Sequence, residues 1–508
     1  MITRLKAPLQ YKKHIPLLVV VLLTAPIIFF QSFRFSYPLG YGGMFTLIAE
    51  KISEANFGLP MSIPHYGPGG IPLVYPPFAM YPFALAIKMG VPIWFYLRIV
   101  PAIFTLLAII PFYYFTLELI DSKGAAIVAA VLAITVPAVY YTHVWSAGVV
   151  RALALCFCLA GLLLYVRSLR DFSWRNFLLA GIFLGLLFTT HLLYVVFAAL
   201  VGLACLISDW KMSRLPIAFG ILLVALLVAA PWLILILERH GASALLLASA
   251  SHRNLDFFIS PKEIPIALQF IGENLQHFAD NWFLSALALP GFILLLIQRK
   301  FHIPLAFIFM LLIGDVSFFA DILAAMMAGA FSAEIFRLTP GLAALKNANI
   351  LGFLKLALSV LVFICFILST VGGLLKIFQY QPEVDAYSLQ TASFVRRNTD
   401  RDATYLFVGK INEAEWLPYL FDRTPVFAAW GSEWKGTYAR QTEILAALRG
   451  CELQKSWDCV EDIEQEQSVF PSLLITHNKR WLLLQIKDTQ TWDLLYRDDR
   501  YVVWKRRN

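Results

Sequence analysis

Charge is scarce in this chain, and so are the motifs that announce soluble chemistry. Only 15% of its 508 residues are Asp, Glu, Lys or Arg, against about a quarter in soluble globular proteins. No Gly-rich phosphate loop with its Lys occurs, which argues against an ATP-driven pump. There is no His-Glu-x-x-His run and no metal-spaced Cys/His set. Cysteine is sparse, and four of the six, Cys156, Cys158, Cys205 and Cys365, lie in apolar runs where cysteine acts as a small apolar filler. The net charge of +8 does not point to nucleic acid, because much of the excess falls in short loops between apolar runs.

Apolar residues are abundant, at 59%. They fall into blocks of roughly 18–25 residues, the length that crosses a hydrocarbon core of about 30 Å. The blocks predict about eleven transmembrane helices, at 15–33, 93–117, 124–141, 149–168, 176–190, 192–208, 215–237, 280–298, 302–317, 319–335 and 350–376. The first follows Arg4, Lys6, Lys12 and Lys13 and ends in Phe-Phe-Gln-Ser-Phe-Arg, a poor cleavage site, so it reads as a retained anchor rather than a signal peptide. Alternate gaps hold the basic residues: Lys123; Arg167, Arg170 and Arg175; Lys211 and Arg214; Arg299 and Lys300; Arg337 and Lys346. The positive-inside rule makes these one cytoplasmic face, shared by the N-terminus. The expectation is a multi-pass plasma-membrane protein whose segments 34–92, 238–279 and everything after about 378 lie outside. Asp315 and Asp321 strain the reading at 302–335, since acids at membrane depth need a cavity or a partner.

Segment 34–92 reads as a roof. Met44–Asn56 is helix-like, with Phe45, Ile48, Ala49 and Ile52 on one side. A Pro/Gly/aromatic stretch follows from Ile63 to Pro77, and it cannot sustain a regular helix. Phe78–Met89 is apolar but too short to span, which suits an interfacial helix. Beyond Gln381 the composition becomes that of a soluble protein. Helices are expected at 384–398, 412–420 and 438–448, and strands at 404–408, 425–429, 472–476 and from Tyr501 to Trp504, which together make a small α/β domain. Cys451 and Cys459 both fall there. An oxidising compartment would let them pair as a disulfide, and two free thiols is the alternative. The domains expected are thus 1–380, transmembrane, and 381–508, extracytoplasmic.

This order of features resembles the GT-C class of polyprenyl-phosphate-dependent glycosyltransferases, the group of lipid A aminoarabinose transferase and protein O-mannosyltransferases. Gly69-Gly-Ile-Pro-Leu-Val-Tyr-Pro-Pro is similar to the entry of that family's second juxtamembrane helix, and Leu97-Arg-Ile-Val-Pro-Ala to the start of its second span. Trp416-Leu-Pro-Tyr-Leu and Ala429-Trp-Gly-Ser-Glu-Trp resemble the outer domains of bacterial members. The resemblance implies sugar transfer from a polyprenyl phosphate, by direct displacement with inversion. Two departures stand out. The stretch Tyr37-Pro-Leu-Gly-Tyr-Gly-Gly-Met-Phe lacks the acid usual after the first span, and Val149-Val-Arg151 stands where relatives carry Asp.

Such transfer needs a carboxylate for the acceptor proton and cations for the departing phosphate. Glu50 is the nearest acid after the first span and the candidate base. Glu54, one turn on, joins it as a substrate contact or as half of a divalent-cation site, the one cofactor entertained. Arg151, Arg239, His240, His252 and Arg253 are candidates for the phosphate, against snorkelling to lipid headgroups. His65, Tyr66, His191, Trp430 and Trp434, the last two flanking Glu433, are candidates for sugar or acceptor contact, against plain packing. The rival functions are a non-catalytic relative that binds lipid-linked glycan or scaffolds envelope assembly, and a transporter. No internal repeat favours the transporter.

Overall fold

The computed structural model describes residues 15–251, 264–313, 317–338 and 350–507. The basic residues before Ile15 lie outside these, as do His252, Arg253, Asp315 and Lys346. The first third of the chain holds α1 (Ile15–Arg34), α2 (Gly43–Glu54), β1 (Ser62–Ile63), β2 (Ile71–Pro72), α3 (Met80–Lys88), α4 (Ile93–Ile120), α5 (Lys123–Thr135), α6 (Pro137–Val144) and α7 (Gly148–Arg170). Next come α8 (Trp174–Phe188), α9 (Leu192–Ser208), α10 (Leu215–Ser251), α11 (Ile264–Asp280), α12 (Trp282–Ile297), α13 (His302–Leu311), α14 (Ser317–Leu338) and α15 (Ile350–Phe378). The last part is α16 (Ala386–Asn398), β3 (Thr404–Val408), α17 (Ile411–Phe421), β4 (Thr424–Pro425), α18 (Tyr438–Gln454), α19 (Asp458–Glu466), β5 (Leu473–His477), α20 (Arg480–Asp488), β6 (Trp492–Arg497) and β7 (Tyr501–Arg506).

The chain packs as two compact units. One, the helical unit, takes residues 1–34, 99–231 and 256–380; the other, the mixed unit, takes 35–98, 232–255 and 381–508. Among the described residues six helices are long and apolar enough to cross a bilayer, or eight if two bent pairs each make one span. Three shorter apolar helices, α8, α9 and α13, accompany them.

Within the helical unit, small residues set the packing. A Cβ added at Gly329 of α14 would stand 2.4 Å from the Ala125 carbonyl of α5, and one at Gly291 of α12 would stand 2.0 Å from that of Met327. Backbones in such close approach gain van der Waals contact that lipid cannot supply. Pro137 breaks the α5–α6 pair by 72°, with Val136 in the extended conformation a residue before proline prefers. Asp321 is buried in α14 with His277 Nε2 3.2 Å from its Oδ2, the partner that a carboxylate at this depth requires.

The mixed unit is built on a five-stranded sheet of order β4-β3-β5-β7-β6. β3 pairs parallel with β4 and β5, while β7 pairs antiparallel with β5 and β6. The strand expected over 425–429 stops at Pro425. Val426 still donates to the Tyr405 carbonyl at 2.9 Å, but the Ala428 amide turns to Gln441 Oε1 at 3.0 Å and leaves the ladder. β6 was not expected. It is an edge strand with Asp493 and Arg497 among its apolar residues, charges that blunt an edge against further pairing and hide its alternation. A disulfide joins Cys451 in α18 to Cys459 in α19, with Cα atoms 5.6 Å apart.

A buried ionic cluster sits beyond the carboxyl ends of β3 and β5. His477 Nδ1 lies 2.8 Å from Glu452 Oε1 and its Nε2 lies 2.9 Å from Glu413 Oε2. Arg500 Nη2 donates to Glu413 Oε1 at 2.7 Å and Nη1 to Asp385 Oδ2 at 2.7 Å. Burial disfavours the imidazolium, but hydrogen bonds and charge from Glu413 and Glu452 outweigh it and hold His477 up at about 9.

Candidate functional site

The mixed unit answers the question raised by the acid-free stretch after α1. The Glu415 side chain of α17 is fully buried at the N-terminus of α2. Its Oε2 accepts the Gly42 and Gly43 amides at 2.8 and 2.9 Å, and its Oε1 accepts that of Met44 at 2.7 Å. These are donors that a helix start leaves without intrahelical partners, and the anion also suits the positive end of the helix dipole. Gly43 has to be glycine, because a Cβ there would stand 2.8 Å from the Glu415 carbonyl. Around this seat Trp416 Nε1 donates to the Gly40 carbonyl at 2.7 Å and the Tyr66 hydroxyl to the Glu415 carbonyl at 2.9 Å. Burial pushes the Glu415 carboxyl up to about 7 even against the three amides that favour its charge.

Two turns along the same helix, Glu50 is half-buried. The Tyr419 hydroxyl donates to its Oε1 at 3.1 Å, and Arg396 Nη2 donates to the Tyr419 carbonyl at 2.7 Å. Burial raises the Glu50 pKa above the ordinary carboxyl value; the Tyr419 bond lowers it, Glu54 raises it, and Arg396 and Lys51 lower it. Tyr419 also lines an open groove of about 340 Å³ together with Trp94, Ser393, Arg396 and Arg397. A carboxyl poised above its usual range and held by a phenol that lines a groove is an arrangement suited to proton abstraction.

The other expected site residues divide. Glu54 Oε2 is 2.7 Å from Lys51 Nζ and 63% exposed, so the Glu50–Glu54 pair does not fit a shared divalent cation. Among the described residues no group of three or more His, Cys, Asp or Glu is placed to hold a metal ion. Tyr66 is buried, and burial raises its pKa well above the ordinary phenol value, so it serves the Glu415 seat rather than an open site. His65 has a left-handed backbone at φ 65°, its Nε2 3.1 Å from Asp422 Oδ1 and its Nδ1 3.2 Å from Thr424 Oγ1. Burial lowers its pKa, with Asp422 opposing. Trp430 lies tilted against Tyr41 at 5.9 Å, and Trp434 edge-on to Tyr75 at 6.0 Å. Between them burial lifts Glu433 to about 7, and its Oε2 has no hydrogen-bond partner among the described residues. Arg239 Nη1 donates to the Leu59 carbonyl at 2.7 Å, and the buried His240 Nε2 meets no partner among the described residues. Arg151, in the first turn of α7, and His191, at the N-cap of α9 with its ring 5.1 Å from Tyr194, belong to the helical unit. Arg253 lies outside the described residues. Glu415, Tyr419, Arg396 and Arg397 were missed. The available signal was a glycine run with no acid of its own and a Glu directly before Trp416-Leu-Pro-Tyr-Leu.

No family model matches the chain, and no curated protein matches it by sequence. Solved structures do. The archaeal oligosaccharyltransferase AglB from Archaeoglobus fulgidus, in complex with an inhibitory peptide and a dolichol-phosphate, aligns over 92% of this chain and 70% of its own, with TM-score 0.58 and 16% identity. ArnT from Cupriavidus metallidurans bound to undecaprenyl phosphate aligns over 96% of this chain and 97% of its own, with TM-score 0.55 and 15% identity. Its apo form gives the same coverage at TM-score 0.55 and 14% identity. At these identities the likeness shows the fold: this chain shares the fold of AglB and ArnT, the GT-C-like arrangement expected, mostly helical, with six to eight helices long and apolar enough to cross a bilayer among the described residues and a small C-terminal α/β domain.

Proposed function

We propose that the chain is a membrane glycosyltransferase that moves a sugar from a polyprenyl phosphate to a lipid, glycan or protein acceptor on the outer face of the plasma membrane. The observation that carries the reading is Glu50, with its raised pKa, held by Tyr419, a residue that itself lines the Trp94–Arg397 groove. The fold shared with structures holding dolichol-phosphate and undecaprenyl phosphate supports the donor class. In the step, the acceptor hydroxyl gives its proton to the Glu50 carboxylate while its oxygen bonds to the anomeric carbon. The bond from that carbon to the phosphate oxygen breaks, and its electron pair leaves with the polyprenyl phosphate. Arg239 and His240 of the mixed unit are the cations proposed for that phosphate. Both the mixed unit's loop and its C-terminal sheet are proposed to lie outside, as the basic gaps require.

One observation favours a non-catalytic, glycan-binding relative instead: the carboxylate nearest the start of α2, Glu415, is sealed from solvent and committed to three amides. A transfer assay decides. With purified protein, radiolabelled polyprenyl-phosphate sugars and membrane extract as acceptor source, Glu50→Gln should lower the rate about 10²–10⁴-fold, the usual worth of a general base. Transfer undiminished in Glu50→Gln discards the assignment, and no transfer by wild type with any donor favours the binding relative.

A further inference from the structure

Several of the basic gaps meet in a charged pocket of the helical unit. It has a volume of about 450 Å³ and opens among the ends of α4, α7 and α9 and the turn between α12 and α13. Three of its basic side chains are spent on the end of α4. Arg170 Nη1 donates to the Glu118 carbonyl at 2.7 Å, Lys300 Nζ donates to that of Ile120 at 2.5 Å, and His302 Nε2 lies 3.0 Å from that of Leu119. A helix end leaves such carbonyls without intrahelical partners, so these side chains hold the pocket's shape. The Glu118 carboxylate is spent as well, on Arg170 at 2.9 Å and Arg167 at 3.2 Å. Three lining charges remain. Asp121 and Arg299 are exposed and make no ion pair among the described residues. The Asp209 side chain is 46% exposed, and its ion pairs, with Arg214 at 3.6 Å and Arg170 at 3.9 Å, are longer than hydrogen bonds. Asp121 and Arg299 also hold left-handed backbone, at φ 56° and 59°, just past α4 and α12, where glycine is the easier residue.

We propose that this pocket binds a phosphoethanolamine group, a phosphate joined by a short linker to a primary ammonium, as phosphatidylethanolamine carries it. The charges left over are of both signs, and that decides the ligand class. A plain anion would be repelled by Asp121 and Asp209, and a plain cation would leave Arg299 unmatched. A headgroup with both signs matches both: its phosphate takes the Arg299 fork, and its ammonium donates to Asp121 and Asp209. The volume falls within the roughly 300–1,000 Å³ of small-molecule sites. The lipid is the source, because α4 and α7 are long and apolar enough to cross a bilayer and both end at this pocket, at the level where headgroups stand. Every residue of the pocket belongs to the helical unit, so the proposal is independent of Glu50 and of sugar transfer.

Lipid binding tests it directly. The full chain in detergent is mixed with phosphatidylethanolamine, phosphatidylcholine or phosphatidylglycerol, and the fraction that retains a lipid is read by native mass spectrometry. Wild type should hold phosphatidylethanolamine about tenfold more tightly than phosphatidylcholine, whose quaternary ammonium has no N–H to donate, and than phosphatidylglycerol, which brings no cation. Asp121→Asn/Asp209→Asn should erase that preference. Arg299→Gln should weaken phosphatidylethanolamine and phosphatidylcholine alike, since the phosphate is common to both. These side chains are exposed or half-exposed, so the variants' thermal midpoints without added lipid should stay within about 2 °C of wild type. Calorimetric titration with free phosphoethanolamine separates the sources: saturable heat shows that the headgroup alone suffices, and no heat beside a retained lipid shows that the lipid is the ligand. The proposal is overturned if wild type shows neither the phosphatidylethanolamine preference nor saturable heat, if phosphatidylglycerol is preferred, or if the double variant responds like wild type to every probe.

Discussion

The two units solve the burial problem in opposite ways. In the helical unit, backbones touch backbones: glycine and alanine at the α5–α14 and α12–α14 contacts leave no room for side chains, and the buried polar residues are mostly Ser and Thr, with Asp321 the one buried acid among the described residues. In the mixed unit, distant segments are tied by charge. Glu415 reaches back across the chain to the start of α2, and His477, Glu413, Glu452 and Arg500 form a closed ionic cluster. Membrane helices gain nothing from excluding water among themselves, so fit carries the association. A unit built on a sheet and polar helices can hold ions, provided each is fully paired once buried. The residues proposed for proton chemistry, Glu50 and its partner Tyr419, fall in the second kind of unit, where a shifted carboxyl pKa can be set and used.

Three changes probe this contrast. The largest effect should come from steric intrusion in the helical unit. Gly291→Val drives side-chain atoms at the Met327 carbonyl, which a Cβ alone would approach to 2.0 Å. Ordinary overpacking costs about 1–3 kcal/mol; an atom this close to a backbone carbonyl, which cannot swing aside as a side chain would, forces the two helices apart, and loss of the monodisperse peak on size exclusion is the expected result. Next is the anion seat. Glu415→Ala leaves the amides of Gly42, Gly43 and Met44 buried without an acceptor, at roughly 1–3 kcal/mol for each donor left unmet. The melting of the sheet-containing unit, followed by hydrogen exchange of β3 and β5, should fall markedly, and less in Glu415→Gln, which keeps an acceptor oxygen. The smallest and most graded effect is pH. His477 is raised to about 9, so its contribution is complete below its ordinary 6.5 and is lost as pH climbs toward 9. Glu452 is lowered to about 2 because hydrogen bonds and charge from His477 and Lys479 outweigh its burial, so its contribution is complete above 4.5 and fades as pH falls toward 2. The cluster's own contribution, read as the difference between wild type and His477→Gln, should therefore peak between about pH 4.5 and 6.5. A His477→Gln variant with the same profile would contradict the cluster's role.

Much of the helical unit was legible because apolar run length reports directly on membrane crossing. The starts of α2 and α3 and the strands β3, β5 and β7 were legible from periodicity. What escaped has a common cause. Glu415 and the start of α2 are separated by 371–373 positions, so no local pattern links them. The groove is assembled from α16, the last turn of α17 and the first turn of α4, and Arg396 and Arg397 alone look like ordinary helix-end charges. β6 escaped because its charged residues break the alternation that marks a half-buried strand.

The most direct test is the pH dependence of transfer in wild type, Glu50→Gln and Tyr419→Phe. Burial raises the Glu50 carboxyl and the Tyr419 hydrogen bond lowers it, so removing the phenol hydroxyl should push the carboxyl higher still. The acidic limb of kcat/KM should move to higher pH in Tyr419→Phe and disappear with the activity in Glu50→Gln. An acidic limb that stays in place in Tyr419→Phe, with Glu50→Gln within about fivefold of wild type, would contradict the assignment of Glu50 as the base.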